Sequence, residues 1–451
     1  MIRRLSVFLV LEFALAAIII GGLIYSFWHV AVYGYFPQPF FYNINDTWMD
    51  WFNPAYWAHQ PGTYDSFQSI YPPLTFVILK TLTFGPCYVS AEGGASRSCD
   101  WYGIATLHLT YITAVVLTVM FYLKVDRRTA LPRSIAMAIG LPMLWALDRG
   151  NVILFTYIFM LLAYGPLLKS TWARCICAGL AVNMKVYLVG TLAAQLLHRR
   201  WRWTECAVLC SIIVYAVTYA IFGSGSPLQI YRNIVDFSDI LQIDNPMGIW
   251  IASSLIPLGQ LAKSNIFPTT LYIGSRNVDL IEFLVPVITH GAQAIIMLGA
   301  AACYMRPEVV PRYRMLALSV GIATFTAEVS AYSEILVLLF CFMEPAKGIL
   351  RRYALLAAYV LCIPLDYNIG NLPQVVADSF ITQRTVVVEY SVQIGPFVRP
   401  LLMISIPVAL ALVTIIDVVR DIWAGGWVDR WRFRHDVPFL PWLKRPTAPR
   451  G

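Results

Sequence analysis

The sequence predicts an all-α integral membrane protein with about twelve transmembrane helices. Of its 451 residues, 59% are hydrophobic and only 13% are charged, and the mean hydropathy is +0.65. Polar side chains are too few to coat a soluble globule of this length. The net charge of +8 comes from lysines and arginines in short clusters between long apolar runs. Such charge marks one side of a membrane, so we predict a lipid bilayer as a partner and no nucleic acid.

The basic clusters set the predicted sidedness, because lysine and arginine favour cytoplasmic loops. A segment that joins two cytoplasmic clusters must cross the bilayer an even number of times, and with both ends inside we obtain twelve crossings. We therefore predict a polytopic transmembrane domain over residues 1–419 and a basic cytoplasmic tail over 420–451, along the inner leaflet. The clusters are Arg3/Arg4, Lys124 to Arg133, Lys169/Arg174, Arg199/Arg200/Arg202, Arg306/Arg312/Arg314, Lys347/Arg351/Arg352 and the tail from Arg420.

Long apolar runs predict single spans, and the first is too long for a signal peptide, so we expect it to be retained. Residues 5–79 contain no lysine or arginine but include Asp46 and Asp50, which is typical of an outward loop. Residues 73–86 are apolar but short and carry Lys80, so we predict an interfacial helix on the outer face. The predicted spans are 5–28, 102–123, 204–222, 279–303, 353–369 and 397–419, and the predicted outer stretches are 29–101, 223–278 and 370–396.

Three short hairpins are predicted where apolar runs between basic clusters are brief. The first has residues 148–151 at its outer tip. The second lies between Arg174 and Arg199, with arms of about ten residues, or about 15 Å each. Its tip, residues 183–187, therefore stays within the membrane but opens to an outer cavity, where charge and non-helical backbone are tolerated. The third has residues 328–334 at its tip.

The nine cysteines include no CxxC pair followed by histidine. We therefore predict neither a zinc site nor a thioredoxin-type site. Cys87 and Cys99 bracket a polar outer stretch that would be free to oxidise if it faced a periplasm. No DxD motif stands beside a histidine and fixed cations can replace a metal ion, so we predict no metal and no cofactor.

The first outer loop holds the candidates for acid–base chemistry. Asp50 lies among aromatic residues between Trp48 and Trp57, and partial desolvation suits a carboxylate to accept a proton from an attacking hydroxyl. We predict Asp50 as the catalytic carboxylate and Asp46 as the second candidate. The structural alternative is that these two acids, four residues apart, cap a short helix.

The hairpin tips hold the candidate cations. Lys185 is the first choice for binding a departing phosphate, because an ammonium near mid-membrane is costly unless an anion accompanies it. Its alternatives are an ion pair with Glu328 or snorkelling. Arg149 could offer a bidentate fork to phosphate, but pairing with Asp148 or hairpin capping explains it equally well. Glu328 could bind substrate hydroxyls or satisfy freed backbone groups, and Arg232 in the second large loop is a weaker candidate.

Four motifs follow one another along the first 200 or so residues. Asp50 stands seven residues before Trp57, and Tyr71-Pro72-Pro73-Leu74-Thr75 comes next. Leu147-Asp148-Arg149-Gly150-Asn151 is similar to the polar tip motif of asparagine-linked-glycosylation glucosyltransferases and glycosylphosphatidylinositol mannosyltransferases. Residues 179–187, which end in Lys185-Val186-Tyr187, resemble a hairpin segment of the latter and of bacterial glycosyltransferase family 87. Together the motifs resemble membrane glycosyltransferases of the GT-C fold that use polyprenyl-phosphate sugars.

The resemblance implies an inverting hexosyltransferase of GT-C type. It would move a hexose, with mannose as the first candidate, from a polyprenyl-phosphate sugar to a glycolipid or polysaccharide precursor at the outer face. The basic tail and the outer cysteine pair favour a bacterial inner membrane over an endoplasmic reticulum. Leu188 departs from the family pattern, in which proline often follows the Lys-x-Tyr segment. Beside Asp50 and Asp46, the implied substrate-binding residues are Lys185, Arg149, Asn151, Tyr71, Tyr187, Arg232 and Glu328.

Two other classes of protein remain open. An O-antigen-type polymerase or ligase also has many spans and a large outer loop, but its key arginines are expected in a late outer loop. A non-enzymatic flippase or transporter of lipid-linked sugars would need a transmembrane path of polar residues. The sequence indicates neither such a path nor an internal repeat.

Overall fold

The structure, a computed structural model, describes residues 6–40, 44–89, 93–240, 252–263 and 269–426. The predicted cluster at Arg3/Arg4 and most of the predicted tail lie outside the described residues. Helices form most of the described chain. They are α1 (Val7–Tyr33), α2 (Met49–His59), α3 (Pro73–Thr81), α4 (Gly93–Cys99), α5 (Trp101–Val125), α6 (Ala130–Ile139), α7 (Leu141–Arg149), α8 (Ile153–Tyr164), α9 (Thr171–Met184), α10 (Val189–Leu197), α11 (Trp201–Phe222), α12 (Pro227–Ile240), α13 (Ile256–Lys263), α14 (Thr269–Ile273), α15 (Ser275–Met305), α16 (Arg312–Thr326), α17 (Glu334–Cys341), α18 (Ile349–Leu361) and α19 (Gly395–Gly425).

Six helical segments within the described residues are long and apolar enough to cross a membrane, which makes the chain a multi-pass membrane protein. Shorter apolar helices lie between them, so the predicted count of twelve crossings is not confirmed. The long segments are Val7–Tyr33, Trp101–Val125, Ala130–Arg149, Trp201–Phe222, Ser275–Met305 and Gly395–Gly425.

Five of the predicted single spans correspond to long helices, namely α1, α5, α11, α15 and α19. The sixth prediction, a span over 353–369, is wrong in its extent. The helix there, α18, ends at Leu361. Pro364 follows closely, and proline has no backbone N–H with which to continue a helix. The chain then enters a strand at Asn368.

Four short strands qualify the all-α prediction. They are β1 (Asn368–Asn371), β2 (Val375–Ser379), β3 (Arg384–Val388) and β4 (Ser391–Gln393). β1 pairs with β4 and β2 pairs with β3, both antiparallel, and the second ladder runs from Val375↔Val388 to Ser379↔Arg384. Ser379 Oγ and Thr382 Oγ1 donate to the Gly34 carbonyl oxygen at 2.6 and 2.9 Å, so the β2–β3 hairpin is tied to the end of α1.

One end of the bundle gathers arginines that the sequence places in the cytoplasm. Arg314 Nε lies 2.5 Å from Glu344 Oε1, and Arg314 and Arg351 share Asp417 Oδ2 at 3.0 and 2.5 Å. Arg133 Nε donates to a carboxylate on α1 at 2.9 Å. Three arginines thus face three acids on five helices and one loop. We call this set the inner charge network: Glu12, Arg133, Arg314, Glu344, Arg351 and Asp417.

The opposite end brings together the three predicted hairpin tips. α7, which ends at the first tip, packs against the 3-10 turn Ala331–Ser333 of the third tip. Lys185 at the second tip lies 5.8 Å from the centre of the Tyr332 ring. The tips therefore converge on one side of the bundle, as the alternation of basic clusters and apolar runs predicts.

The first outer loop packs over these tips. The segment predicted as an interfacial helix, residues 73–86, forms α3 only as far as Thr81. Its buried residues Leu74, Phe76 and Leu79 pack the helix against the protein, while Lys80 is exposed. Cys87 and Cys99 form a disulfide that closes the polar stretch in front of α5. A disulfide is typical of an oxidising compartment, which agrees with an outer placement of this loop.

Candidate active site

The two predicted catalytic acids lie at the start of the first outer loop. Asp46 ends a 3-10 turn, and Asp50 lies in the first turn of α2. Trp51 and Phe52 are fully buried on the inner face of α2, which fixes the helix against the bundle. The Asp46 and Asp50 side chains stay 25% and 22% exposed, so both carboxylates remain accessible from the outer side.

Arg149 joins the two acids. Its Nη1 lies 2.8 Å from Asp46 Oδ2, and its Nη2 lies 2.9 Å from Asp50 Oδ1. Asn151 Nδ2 donates to Asp50 Oδ2 at 2.8 Å. Each Asp50 oxygen therefore accepts one hydrogen bond from the first hairpin tip, which fixes the plane of this carboxylate.

The sequence of the first tip explains this geometry. Arg149 is the last residue of α7, and Asn151 Oδ1 accepts a hydrogen bond from the N–H of Ile153, the first residue of α8, at 2.9 Å. Between them Gly150 has a φ of +65°, and a Cβ there would lie 3.0 Å from Trp48 Cα. Glycine thus permits both the left-handed turn and the close approach of the first loop.

Lys185 lies between α9 and the 3-10 turn Val186–Leu188, where it ends the helix in an extended conformation. Its Nζ is 3.5 Å from the Tyr71 hydroxyl and 4.5 Å from the centre of the Tyr71 ring. Within the described residues its ammonium forms no ion pair with a carboxylate, and Glu328 is bonded elsewhere. Asp50 is within electrostatic reach of Lys185 and of Tyr71, so the predicted acid and the predicted cation share one site.

Tyr71 interacts with both charged groups. Pro72 and Pro73 follow it and begin α3, since proline at the first helical position fixes the helix start. Burial, with a smaller effect of the Asp50 carboxylate, raises the pKa of the Tyr71 phenol. The hydroxyl therefore stays protonated at neutral pH and can donate a hydrogen bond.

The remaining predicted residues differ in their surroundings. The Tyr187 hydroxyl lies next to the Ser333 side chain, at the junction of the second and third tips. The Glu328 carboxylate accepts hydrogen bonds from the backbone and hydroxyl of both Ser253 and Ser254, and so holds the segment before α13 against the third tip. Arg232 is exposed on α12.

Arg97 is a site residue that the sequence did not indicate. It lies in α4, next to the disulfide, and its Nη1 donates to the carbonyl oxygens of Asn45, at 2.9 Å, and Thr47. Its guanidinium lies 3.7 Å from the centre of the Phe380 ring in the β2–β3 hairpin. Burial lowers the pKa of Arg97 to about 10, so the group stays charged at neutral pH. Arg97 thus clamps the loop that carries Asp46.

Comparison with known proteins identifies the family. The model of glycosyltransferase family 87 matches residues 67–330, more than half of the chain. The matched region begins after Asp50 and includes Tyr71, Arg149, Asn151 and Lys185. No curated protein and no solved structure matches the chain. The chain belongs to glycosyltransferase family 87, and we identify it as a membrane glycosyltransferase.

Proposed function

We propose that this glycosyltransferase moves a hexose from a polyprenyl-phosphate sugar to a hydroxyl of a glycolipid or polysaccharide precursor at the outer face of the membrane. Mannose is the hexose that the motif resemblance suggests, and a bacterial inner membrane is the proposed location. One observation carries the proposal: Asp50 and Lys185, which lie 135 positions apart in the sequence, both act on Tyr71, the lysine at 3.5 Å from its hydroxyl and the carboxylate through its charge. A fixed carboxylate and an ammonium without a carboxylate partner thus face the same space.

Asp50 acts as the general base in this proposal. A carboxylate oxygen has two acceptor positions, so each Asp50 oxygen can accept a second hydrogen bond beside the one from Arg149 or Asn151. The acceptor hydroxyl donates its proton to Asp50 as its oxygen attacks the sugar. Arg149 has a positioning role, because its two terminal nitrogens bind Asp46 and Asp50.

Lys185 and Tyr71 bind the leaving phosphate. As the acceptor oxygen forms a bond to the anomeric carbon, the bond from that carbon to the phosphate oxygen breaks and the phosphate takes the electron pair. An ammonium and a phenol hydroxyl, both hydrogen-bond donors, stabilise this developing negative charge. The single displacement inverts the anomeric carbon. Tyr187, Glu328 and Arg232 stay candidates for contacts to the sugar or the acceptor.

An apolar groove next to the site supports a lipid-linked donor. It has a volume of about 490 Å³ and lies between α3, α5 and α8, with Ile78, Leu109 and Phe159 among its lining residues. Phe155 also lines it and stacks on Trp51 at 5.9 Å, and Trp51 is the neighbour of Asp50 in the sequence. An isoprenoid chain in this groove would lead its phosphate towards the charged side chains.

The test uses the purified protein in lipid nanodiscs with individual polyprenyl-phosphate hexoses, radiolabelled in the sugar, and a membrane lipid extract as acceptor. We expect labelled product from the wild type and a loss of about 100-fold or more in the Asp50→Asn variant, with donor binding retained. Asp65→Asn is the matched control, since Asp65 lies in the same loop and bonds Gln229 at 3.2 Å.

Two outcomes would overturn the proposal. Full turnover by Asp50→Asn would exclude Asp50 as the base. Movement of intact sugar lipid across a vesicle membrane, with no transfer by either protein, would favour a flippase.

A further inference from the structure

A pocket of about 290 Å³ lies at the inner end of the bundle, between the start of α18 and the end of α19. It lies at the end of the bundle opposite the hairpin tips that carry the candidate active site. Its polar side is lined by Lys347, Arg351, Asp417 and Arg420, and its apolar side includes Ile349 and Ile416.

The charges around this pocket do not cancel. Arg351 and Asp417 belong to the inner charge network, in which three arginines face three acids and Asp417 Oδ2 lies 2.5 Å from Arg351 Nη2. Lys347 and Arg420 do not belong to the inner charge network, and both side chains are exposed. In the described part of the chain neither side chain has an ion pair or a hydrogen bond. The pocket therefore carries two uncompensated positive charges.

The apolar side of the pocket distinguishes a lipid from a soluble anion. Ile349 is 83% exposed, and it adjoins Val413 and Ile416 of the long apolar helix α19. An apolar wall next to two cations, at the membrane end of a spanning helix, matches a molecule with a negative head group and an acyl chain. Basic pockets between transmembrane helices on the cytoplasmic side bind anionic lipid head groups.

We propose that this pocket binds the phosphate of an anionic phospholipid from the inner leaflet. Lys347 and Arg420 contact the phosphate, and Ile349, Val413 and Ile416 contact the start of an acyl chain. Arg351 is held by Asp417 and sets the depth of the pocket. The lipid would join α18 to α19 next to the inner charge network and so stabilise the bundle from the side opposite to catalysis. This inference does not depend on the proposed function.

The experiment titrates the full-length protein in neutral detergent with short-chain phosphatidylglycerol and follows bound lipid by native mass spectrometry. Each basic residue near an anionic lipid contributes about 1 kcal/mol, so we expect Lys347→Gln with Arg420→Gln to weaken binding about 30-fold. Each single variant should weaken it about 5-fold. The single variants keep the test valid if the double variant does not fold.

The matched control changes two exposed basic residues at the same end but outside the pocket, Lys124→Gln with Arg127→Gln. We expect this variant to bind phosphatidylglycerol as the wild type does. An equal loss in control and pocket variants would mean diffuse attraction to basic surface and would overturn the proposal.

Inorganic phosphate and phosphatidylcholine distinguish the possible sources of the ligand. The proposal expects phosphatidylcholine to bind weakly and millimolar phosphate to displace little phosphatidylglycerol, because phosphate lacks the apolar contact. Complete displacement by phosphate would identify a site for a soluble anion instead of a lipid.

Discussion

The two ends of the bundle use buried charge in opposite ways. At the inner end the Glu12 and Glu344 side chains are 1% and 0% exposed, and every arginine of the network faces a carboxylate. At the outer end two partly exposed carboxylates share Arg149, while Lys185 contacts tyrosines. A buried charge without its partner is costly. The charges of the inner network thus compensate one another within the protein, whereas Lys185 at the outer end has no carboxylate ion pair among the described residues.

Substitutions at the inner end should lower the free energy of unfolding, whereas substitutions at the outer end should lower the rate of sugar transfer. Glu344→Gln is expected to give the largest change. It removes the charge that faces Arg314 and Arg351, and breaking a buried ion pair lowers the free energy of unfolding by about 3 to 5 kcal/mol. Thermal and chemical unfolding of the protein in detergent measure this loss.

Glu389→Gln is the control for that experiment, because Glu389 is exposed and its carboxylate accepts a hydrogen bond from Gln374 Nε2 at 2.9 Å. Its effect should stay within about 0.5 kcal/mol. If Glu344→Gln unfolds like the control, the inner network does not hold the bundle together.

Lys185→Gln should lower activity without lowering stability. Loss of a donor to the leaving phosphate lowers kcat by about 100-fold to 1,000-fold. The free energy of unfolding should stay the same or rise, since the variant no longer places an ammonium without a carboxylate partner in apolar surroundings. Single-turnover sugar transfer and thermal unfolding test the two expectations.

Lys80→Gln is the matched variant for Lys185→Gln, because Lys80 is exposed on α3 and close in sequence to Tyr71. It should transfer sugar at the wild-type rate. A Lys185→Gln variant that is unstable yet fully active when folded would assign this lysine to the scaffold.

Gly150→Ala tests whether the outer geometry depends on the backbone of the first tip. A φ of +65° costs an alanine about 1 to 2 kcal/mol, and its Cβ would meet Trp48 Cα at 3.0 Å. Arg149 and Asn151 would shift together, and a displacement near 1 Å can lower kcat about 100-fold. Gly94→Ala is the control, since a Cβ there meets no atom within 4 Å. Equal rates for both variants would contradict this role of Gly150.

Arg97→Gln is expected to have the smallest effect, a fall in kcat of about 10-fold, which corresponds to about 1.4 kcal/mol for a charge-assisted hydrogen bond. If Arg97 acts by positioning Asp46, adding Arg97→Gln to an Asp46→Asn variant should cause no further loss. This double-mutant cycle compares kcat and KM for the donor among the wild type, the two single variants and the double variant. Fully additive losses would show that Arg97 acts independently of Asp46.

The sequence could predict that the three hairpin tips lie at the same end of the bundle, because charge parity and short apolar arms leave few ways to thread the membrane. It also predicted five long spans from apolar length alone. It could not predict the partners of Arg149, since the neighbouring Asp148 was the acid that the sequence suggested, and only the packed backbone shows that Asp46 and Asp50 share the guanidinium.

Two features escaped sequence analysis for physical reasons. Arg97 binds backbone carbonyls about 50 positions away, which leave no pattern of residue types. The β2–β3 hairpin has valines in both strands, a β-forming signal, but the strands are five residues each. Such short strands are easily taken for an irregular outer loop.

The contact between Lys185 and Tyr71 has a consequence for the end of each catalytic cycle. In the proposed reaction, departure of polyprenyl phosphate would leave the Lys185 ammonium facing the Tyr71 and Tyr332 rings without an ion-paired carboxylate among the described residues. The site without a bound phosphate is then unfavourable. Exchange of polyprenyl phosphate for a new polyprenyl-phosphate sugar is therefore favoured over release alone. Sugar transfer should therefore slow in membranes that contain little polyprenyl-phosphate sugar. Release of the spent polyprenyl phosphate would limit the rate there, even when acceptor is abundant.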